Sequence, residues 1–243
     1  MPAHRPFMVQ LVAGRWPRGQ GVLTPGRTHT GPPFSPDYFE RVDESADPLF
    51  YAEPRRVVHI DDGAIAAVGR LFRDFIPPNA AVLDLMSSWR SHWPAEHPKG
   101  RLVGLGLNAQ EMADNPDLDE FLVHDLNRDP RLPLDDAAFD AVVITVSVQY
   151  LTRPIETFQQ VNRVLRPGGV CIVTFSNRMF PTKAVRVWRS ASDRGHLELV
   201  AAYLDYAGNF EDIQGGLANP QDSPPGDPLY VVMGRKVDGP EDS

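Results

Sequence analysis

A chain of 243 residues with 42% hydrophobic content and a net charge of -8 has the length of one large folded domain with attachments, able to bury a full core. Its acidic balance argues against nucleic acid or an anionic membrane surface as a partner. The single cysteine, Cys171, rules out an internal disulfide, no apolar run reaches the roughly 18 residues of a membrane span, and no signal-peptide pattern opens the sequence. The expectation is a cytoplasmic protein.

Residues 1–33 carry Arg5, Arg15, Arg18 and Arg27 without an acid, among Gly and Pro. They read as an irregular basic arm, either a tail or an arm that closes over a site or docks on a partner. Residues 34–57 concentrate aromatics (Phe34, Tyr38, Phe39, Phe50, Tyr51) among acids and prolines, as a lid or short helices packed on the main domain would. Tyr51, Arg55 and His59 then stand within reach of a site at the sheet edge, as substrate contacts or as packing.

Asp61 or Asp62 caps a helix whose apolar positions Ile65, Val68, Phe72, Phe75 and Ile76 recur at helical spacing until Pro77. Next comes AVLDLMSSW, Ala81 to Trp89, a buried strand that ends in an acid and opens onto a loop. Ligands of parallel α/β sheets bind beyond the carboxyl ends of the strands, so Met86 to Trp89 is the first place to look for chemistry. Arg101 to Leu107 reads as a second strand, and Asn108 with Glu111 starts a short helix in the manner of a capping box. Phe121 to Val123 is a third strand, and Ala141 to Ile144 is apolar enough for a central one.

Pro154 opens a helix with the stripe Ile155, Phe158, Val161, Val164 and Leu165, which Arg166-Pro167-Gly168-Gly169 stops. Val170 to Phe175 is the fifth strand. A helical region from about Thr182 to Tyr206 is broken near Asp193 to Gly195, and Phe210 to Ile213 and Leu229 to Gly234 complete the set. Seven strands alternating with helices predict a doubly wound α/β domain over residues 58–236, followed by a tail at 237–243.

The succession VLDL, FDAVVITVSVQYL, VLRPGG and PLYVVMGRK resembles that of class I S-adenosylmethionine-dependent methyltransferases, most of all the type 11 small-molecule group, over about Val58 to Lys236. The resemblance implies a Rossmann-like, mostly parallel seven-stranded sheet with the last strand antiparallel. It also implies S-adenosylmethionine as cofactor and methyl transfer to a small molecule. Asp84 matches the acid that ends the first strand in such enzymes. The glycine-rich loop that follows it there is replaced by Met86, Ser87, Ser88 and Trp89, whose serine hydroxyls can still donate and accept hydrogen bonds. The carboxylate that holds the ribose is replaced by Gly106, leaving Asn108 as the nearby polar side chain, either a ribose contact or a plain helix cap. Asp125 and Leu126 match the adenine end, and Thr145 a position near the methionine portion.

Trp89 and His92 sit three apart near the expected mouth, to close the pocket, to pack, or in the case of His92 to act as a general base. Tyr150 stands where small-molecule relatives often carry histidine, to orient a nucleophile or to pack. Arg178, Lys183, Arg186, Arg189 and Arg194 form a basic segment in an acidic protein. This segment is read either as a receptor for an anionic small molecule or as a solvated helix face. Metal-ligand spacing is absent. Two readings compete with the enzyme. GLGLNA, Gly104 to Ala109, with Asp125 some 20 residues on, fits a dinucleotide fingerprint on the wrong strand. Loss of loop glycines and ribose acid together fits a non-catalytic partner or regulatory module.

Overall fold

The computed structural model describes residues 34–219 and 226–237; the basic arm at 1–33 and nearly all of the tail lie outside them. Seven strands form one sheet: β1 (Val82–Leu85), β2 (Leu102–Gly106), β3 (Glu120–Val123), β4 (Phe139–Thr145), β5 (Leu165–Phe175), β6 (Phe210–Leu217) and β7 (Tyr230–Lys236). Their order is β3-β2-β1-β4-β5-β7-β6. Pairings among β1 to β5 are parallel, and β7 runs antiparallel to both β5 and β6. The order reverses between β1 and β4, which is where an open α/β sheet leaves a crevice for a ligand.

Strand residues alternate between two cores. Leu83, Leu85, Val103, Leu105, Val142, Ile144, Val173 and Phe175 pack on one face with helices α4 (Pro154–Val164) and α6 (Asp193–Ala207). Val82, Leu102, Val143, Ile172 and Val231 pack on the other with α2 (Asp62–Phe75). Both faces are covered, so the strands read as continuous apolar runs. Asp61 caps α2 by accepting from the Ala64 N–H at 2.9 Å. Ser192 does the same for α6 through Gly195, which places the helix break at Ala191 and Ser192, slightly earlier than Asp193 to Gly195. The Arg166-Pro167-Gly168-Gly169 stretch stops α4 but is no free turn: β5 already begins at Leu165, paired with Phe139, and Gly168 takes φ 71°.

Residues 34–61 run across the carboxyl ends of the strands. A single 3-10 turn at Pro36–Phe39 and the short helix α1 (Asp47–Phe50) interrupt an otherwise extended path. Phe34 packs edge-on against Tyr203 of α6 at 5.6 Å, and the Asp43 N–H donates to the Thr182 carbonyl at 2.9 Å. The basic segment after β5 is what fastens this cover. Lys183 is fully buried and reaches the Ser45 carbonyl at 2.6 Å, Asp47 at 3.2 Å and Asp43 at 3.3 Å, and Arg186 pairs with Asp37. Lys183 is therefore not part of a solvated face, while Arg186 stays solvent-exposed as it pairs with Asp37; both charges answer acids of the cover.

Candidate active site

Beneath the cover, at the carboxyl ends of β1, β2, β3 and β4, lies a cavity of about 620 Å³. Its floor comes from Met86, Ser87 and Ser88 after β1, Gly106 to Asn108 after β2, His124 to Asn127 after β3, and Thr145 to Ser147 after β4. Its roof includes Tyr51, Arg55, Val58, His59 and Phe180. Twelve of the residues singled out in the sequence thus meet here: Met86, Ser87, Ser88, Asn108, Asp125, Leu126, Thr145, Tyr150, Tyr51, Arg55, His59 and Arg178.

The loop after β1 keeps the shape that a glycine would give it. Met86 adopts φ 62°, the left-handed region that costs a side-chain-bearing residue about 1–2 kcal/mol. The Ser87 N–H donates to the Leu105 carbonyl at 2.8 Å, and this presses the loop onto β2. A Cβ on Gly106 would fall far inside the contact distance of the Ser87 carbonyl oxygen and lie 3.1 Å from Met112 Sδ. The two departures from the family pattern are therefore one: the loop main chain occupies the space from which a ribose-binding acid would project. Gly104 is filled in the same way, since a Cβ there would meet Leu118 Cδ1 at 2.5 Å. Both glycines of GLGLNA serve internal packing, on the second strand instead of the first.

Several of the expected hydrogen-bonding groups are already engaged. Ser87 donates its hydroxyl to Asp84 and Ser88 donates to Glu111, each at 2.6 Å, so both serines face a ligand with lone pairs only. Asn108 caps α3 (Ala109–Ala113) by accepting from the Gln110 and Glu111 N–H groups at 3.0 Å, and its amide donates to the Tyr51 and Ala52 carbonyls. It ties the cover to the floor. The capping box stays half-formed, because the Glu111 carboxylate turns away to accept from Ser88 and from the Arg55 N–H at 2.6 Å. Asp125 uses one oxygen in a turn, accepting from the Asn127 and Arg128 N–H groups. Arg178 lines the mouth but pairs with Asp227 at 2.8 Å.

Asp84, His92 and Trp89 lie off the cavity wall. Asp84 points to the α2 face of the sheet, as Val82 does, and accepts from the Ser87 and Ser91 hydroxyls at 2.6 Å. Burial pushes its carboxyl up to about 6, against the two serine hydrogen bonds. His92 sits at φ 57°, and burial holds its imidazole below the ordinary histidine value. Trp89 donates its indole N–H to the Val57 carbonyl at 2.9 Å, with Arg90 stacked on the ring; it clasps the cover. Tyr150 lines the cavity, but its hydroxyl oxygen accepts from the Phe180 N–H at 2.8 Å. Burial raises its pKa above the usual phenol range.

The raised carboxyl of Asp84 has a consequence for stability. Because the folded state binds this proton more tightly than the unfolded chain, where an aspartate titrates near ~3.9, the group's contribution is full at the acid end and is lost as pH rises through about 6. Two pH units correspond to about 3 kcal/mol. Urea unfolding of the wild type and Asp84→Asn between pH 4.5 and 7.5 should show the variant gaining on the wild type as pH rises; parallel curves would refute a buried, titrating Asp84.

Residues that the sequence did not flag complete the site. Asp47 is buried at the roof, held by Arg41 at 2.6 Å, by the Asn127 amide at 2.7 Å and by Lys183. Glu111, buried yet facing the cavity, forms no ion pair among the described residues. Val146, at the end of β4, takes φ 47°, an outlier for a β-branched residue and typical of strain held at a functional site. Its carbonyl accepts from Gln149 at 2.9 Å. Ser147 follows with a buried hydroxyl that has no partner. Only the apolar run ending at Thr145 hinted at these last two; Asp47 and Glu111 carried no signal beyond a helix start.

The donor set can be weighed against S-adenosylmethionine, a ligand with a sulfonium and an ammonium. Glu111 on the wall suits its positive charge, and 620 Å³ is ample for it; the ribose carboxylate is missing from its usual strand. Among the described residues no cluster of metal-ligating side chains occurs and no helix is long and apolar enough to cross a membrane.

Residues 98–173 match the family model of a methyltransferase domain, type 11. No curated protein sequence matches. Among solved structures, the [4+2]-cyclase SpnF is similar over 79% of this chain and 93% of its own, at 16% identity and a TM-score of 0.55. A SAM-dependent methyltransferase from Aquifex aeolicus is similar over 84% and 100%, at 15% identity and 0.50. A complex between the Haloferax volcanii Trm112 methyltransferase activator and a putative methyltransferase matches over 72% and 89%, at 16% and 0.52. At these identities the structural likeness speaks for the fold, and the matched residues span β2 to β5, the part of the sheet that carries most of the floor. The chain thus has the sheet of the Rossmann-like methyltransferase fold, and its residues 98–173 resemble a methyltransferase domain.

Proposed function

We propose that the protein binds S-adenosylmethionine on the cavity floor and transfers its methyl group to a small molecule held under the cover. One observation carries the small-molecule reading: the chain's own residues 47–61 roof the cavity and are clasped to the floor through Asn108, Glu111 and Trp89. A polymeric acceptor would need that face uncovered, whereas a roofed cleft of this size suits a small ligand.

The bound sulfonium supplies an already activated methyl group. What the chain supplies is position and a water-poor space. Asp125 and Leu126 border the adenine end, Glu111 provides negative charge in place of the missing strand acid, and Thr145, Val146 and Ser147 form the wall by the reacting end. His59 on the wall, whose imidazole burial holds below the ordinary histidine value, is placed to take a proton, and in-line transfer otherwise needs only orientation and removal of water.

Calorimetric titration with S-adenosylmethionine and S-adenosylhomocysteine tests this. We expect saturable one-to-one binding. Asp125→Ala and Glu111→Gln should each weaken it roughly thirtyfold, the loss of about 2 kcal/mol for a hydrogen bond to a charged group.

A second reading keeps its place because the ribose acid is missing and its space is filled by Ser87. On that reading the chain is a non-catalytic partner module, and no heat would be detected with either ligand. The cyclase of the same fold adds a reason to measure binding before assuming the reaction.

A further inference from the structure

Arg55 is a cation of the cavity lining that forms no ion pair among the described residues. One guanidinium nitrogen, Nη2, donates to the Phe50 carbonyl at 2.8 Å. The other, Nη1, is buried without any hydrogen-bond partner. No carboxylate among the described residues lies within ion-pair distance of it. The nearest acids are engaged elsewhere: Glu111 accepts from the Arg55 main-chain N–H and from Ser88, and Asp47 from Arg41, Asn127 and Lys183. Burying a donor of a charged group without a partner is costly, so such an arrangement persists where a ligand completes it.

The surroundings describe the rest of that ligand. The guanidinium lies 4.1 Å from the centroid of Phe50, 5.1 Å from Phe180 and 5.4 Å from Tyr51. The Phe180 ring, in turn, sits 5.2 Å from His59 and 6.0 Å from Tyr150. Tyr51, His59, Tyr150 and Phe180 all line the cavity, giving flat, mostly apolar walls around a single cationic fork. A guanidinium fork matches a carboxylate in two parallel hydrogen bonds, and aromatic faces match a planar body.

We infer that the acceptor is a planar, apolar small molecule bearing a carboxylate, which the Arg55 guanidinium receives while the rings of Tyr51, Tyr150 and Phe180 hold its body. The proposal rests on the methyltransferase reading for the word acceptor, and on the roof geometry alone for the ligand class. It also moves the anion site from the basic segment after β5, where Lys183 is buried against the cover, to the roof itself.

The test uses matched ligands that differ only in charge: benzoate against benzamide, and indole-3-carboxylate against indole-3-carboxamide. They are titrated into the full chain by ligand-observed NMR, with and without S-adenosylhomocysteine, up to roughly 10 mM. We expect each carboxylate to bind about tenfold or more tightly than its amide, a difference that Arg55→Gln abolishes with amide binding kept within about twofold and that Arg55→Lys retains in part. Equal binding of acid and amide to the wild type overturns the inference, as does a preference that survives Arg55→Gln or a failure of all four probes to bind. The calorimetric titration of S-adenosylhomocysteine is read separately. A carboxylate preference without binding of that ligand would leave the Arg55 receptor standing and remove the methyltransferase reading.

Discussion

Replacing Gly106 by aspartate, the kind of residue that relatives carry at the end of the second strand, is expected to destabilise this protein instead of improving its cofactor site. The new Cβ would collide with the Ser87 carbonyl and crowd Met112 Sδ, and neither can withdraw easily. Ser87 is tied through its N–H to Leu105 and through its hydroxyl to Asp84, and Met112 is buried. Overpacking against fixed main chain costs about 3 kcal/mol, which for a domain of this size lowers the melting temperature by roughly 6–12 °C. Thermal unfolding of Gly106→Asp and Gly106→Ala checks the reason as well as the size, because the clash comes from Cβ and both variants should lose stability. If only the aspartate were harmful, charge burial and not the loop's approach would be the cause.

Lys183→Met is expected to have a comparable or larger effect. The ammonium is fully buried and gathers Asp43, Asp47 and the Ser45 carbonyl. Removing it leaves Asp47 with Arg41 and Asn127 alone, in a largely buried place at the cavity roof. Breaking a buried ion pair from one side costs about 3–5 kcal/mol, and here the cost falls on the contact between the cover and the strand ends. Urea unfolding should register the loss, and limited proteolysis should cut first between residues 40 and 60. A second variant, Lys183→Met with Asp47→Asn, should recover part of the stability, since the stranded charge is gone. A single variant as stable as the wild type would mean that the cover is held by its aromatic contacts instead.

These expectations mark how the sequence and the tertiary structure divide the problem. The strands were legible because burial on both faces leaves uninterrupted apolar runs, and the helix starts because Asp61 and Asn108 have the side chains that a cap requires. The family pattern was legible for the same reason: it consists of strand ends and turns, which are local. Composition also bounded the partners, since net charge needs no coordinates.

The site was legible only where it follows from strand ends. Met86 to Ser88, Asp125, Leu126 and Thr145 line the cavity because each terminates or follows a strand of the parallel half of the sheet. The direction of a side chain was not legible. Asp84 and Leu85 differ by one position in a strand of period two, and so by one face of the sheet. His92 and Trp89 leave a loop whose path is set by contacts far along the chain.

What the sequence determined by itself is therefore the layered α/β fold, the position of the crevice and the unusual chemistry of the loop that borders it. Only the tertiary structure decided what those unusual residues mean. It brought Ser87 onto Gly106 and Glu111 under Arg55, and it turned a basic helix segment into the fastening of an acidic cover. It also left one guanidinium nitrogen of Arg55 without a partner. The contacts join residues about 20 to 150 positions apart, and no local pattern encodes such a meeting, because it depends on how packed layers bring distant loops together.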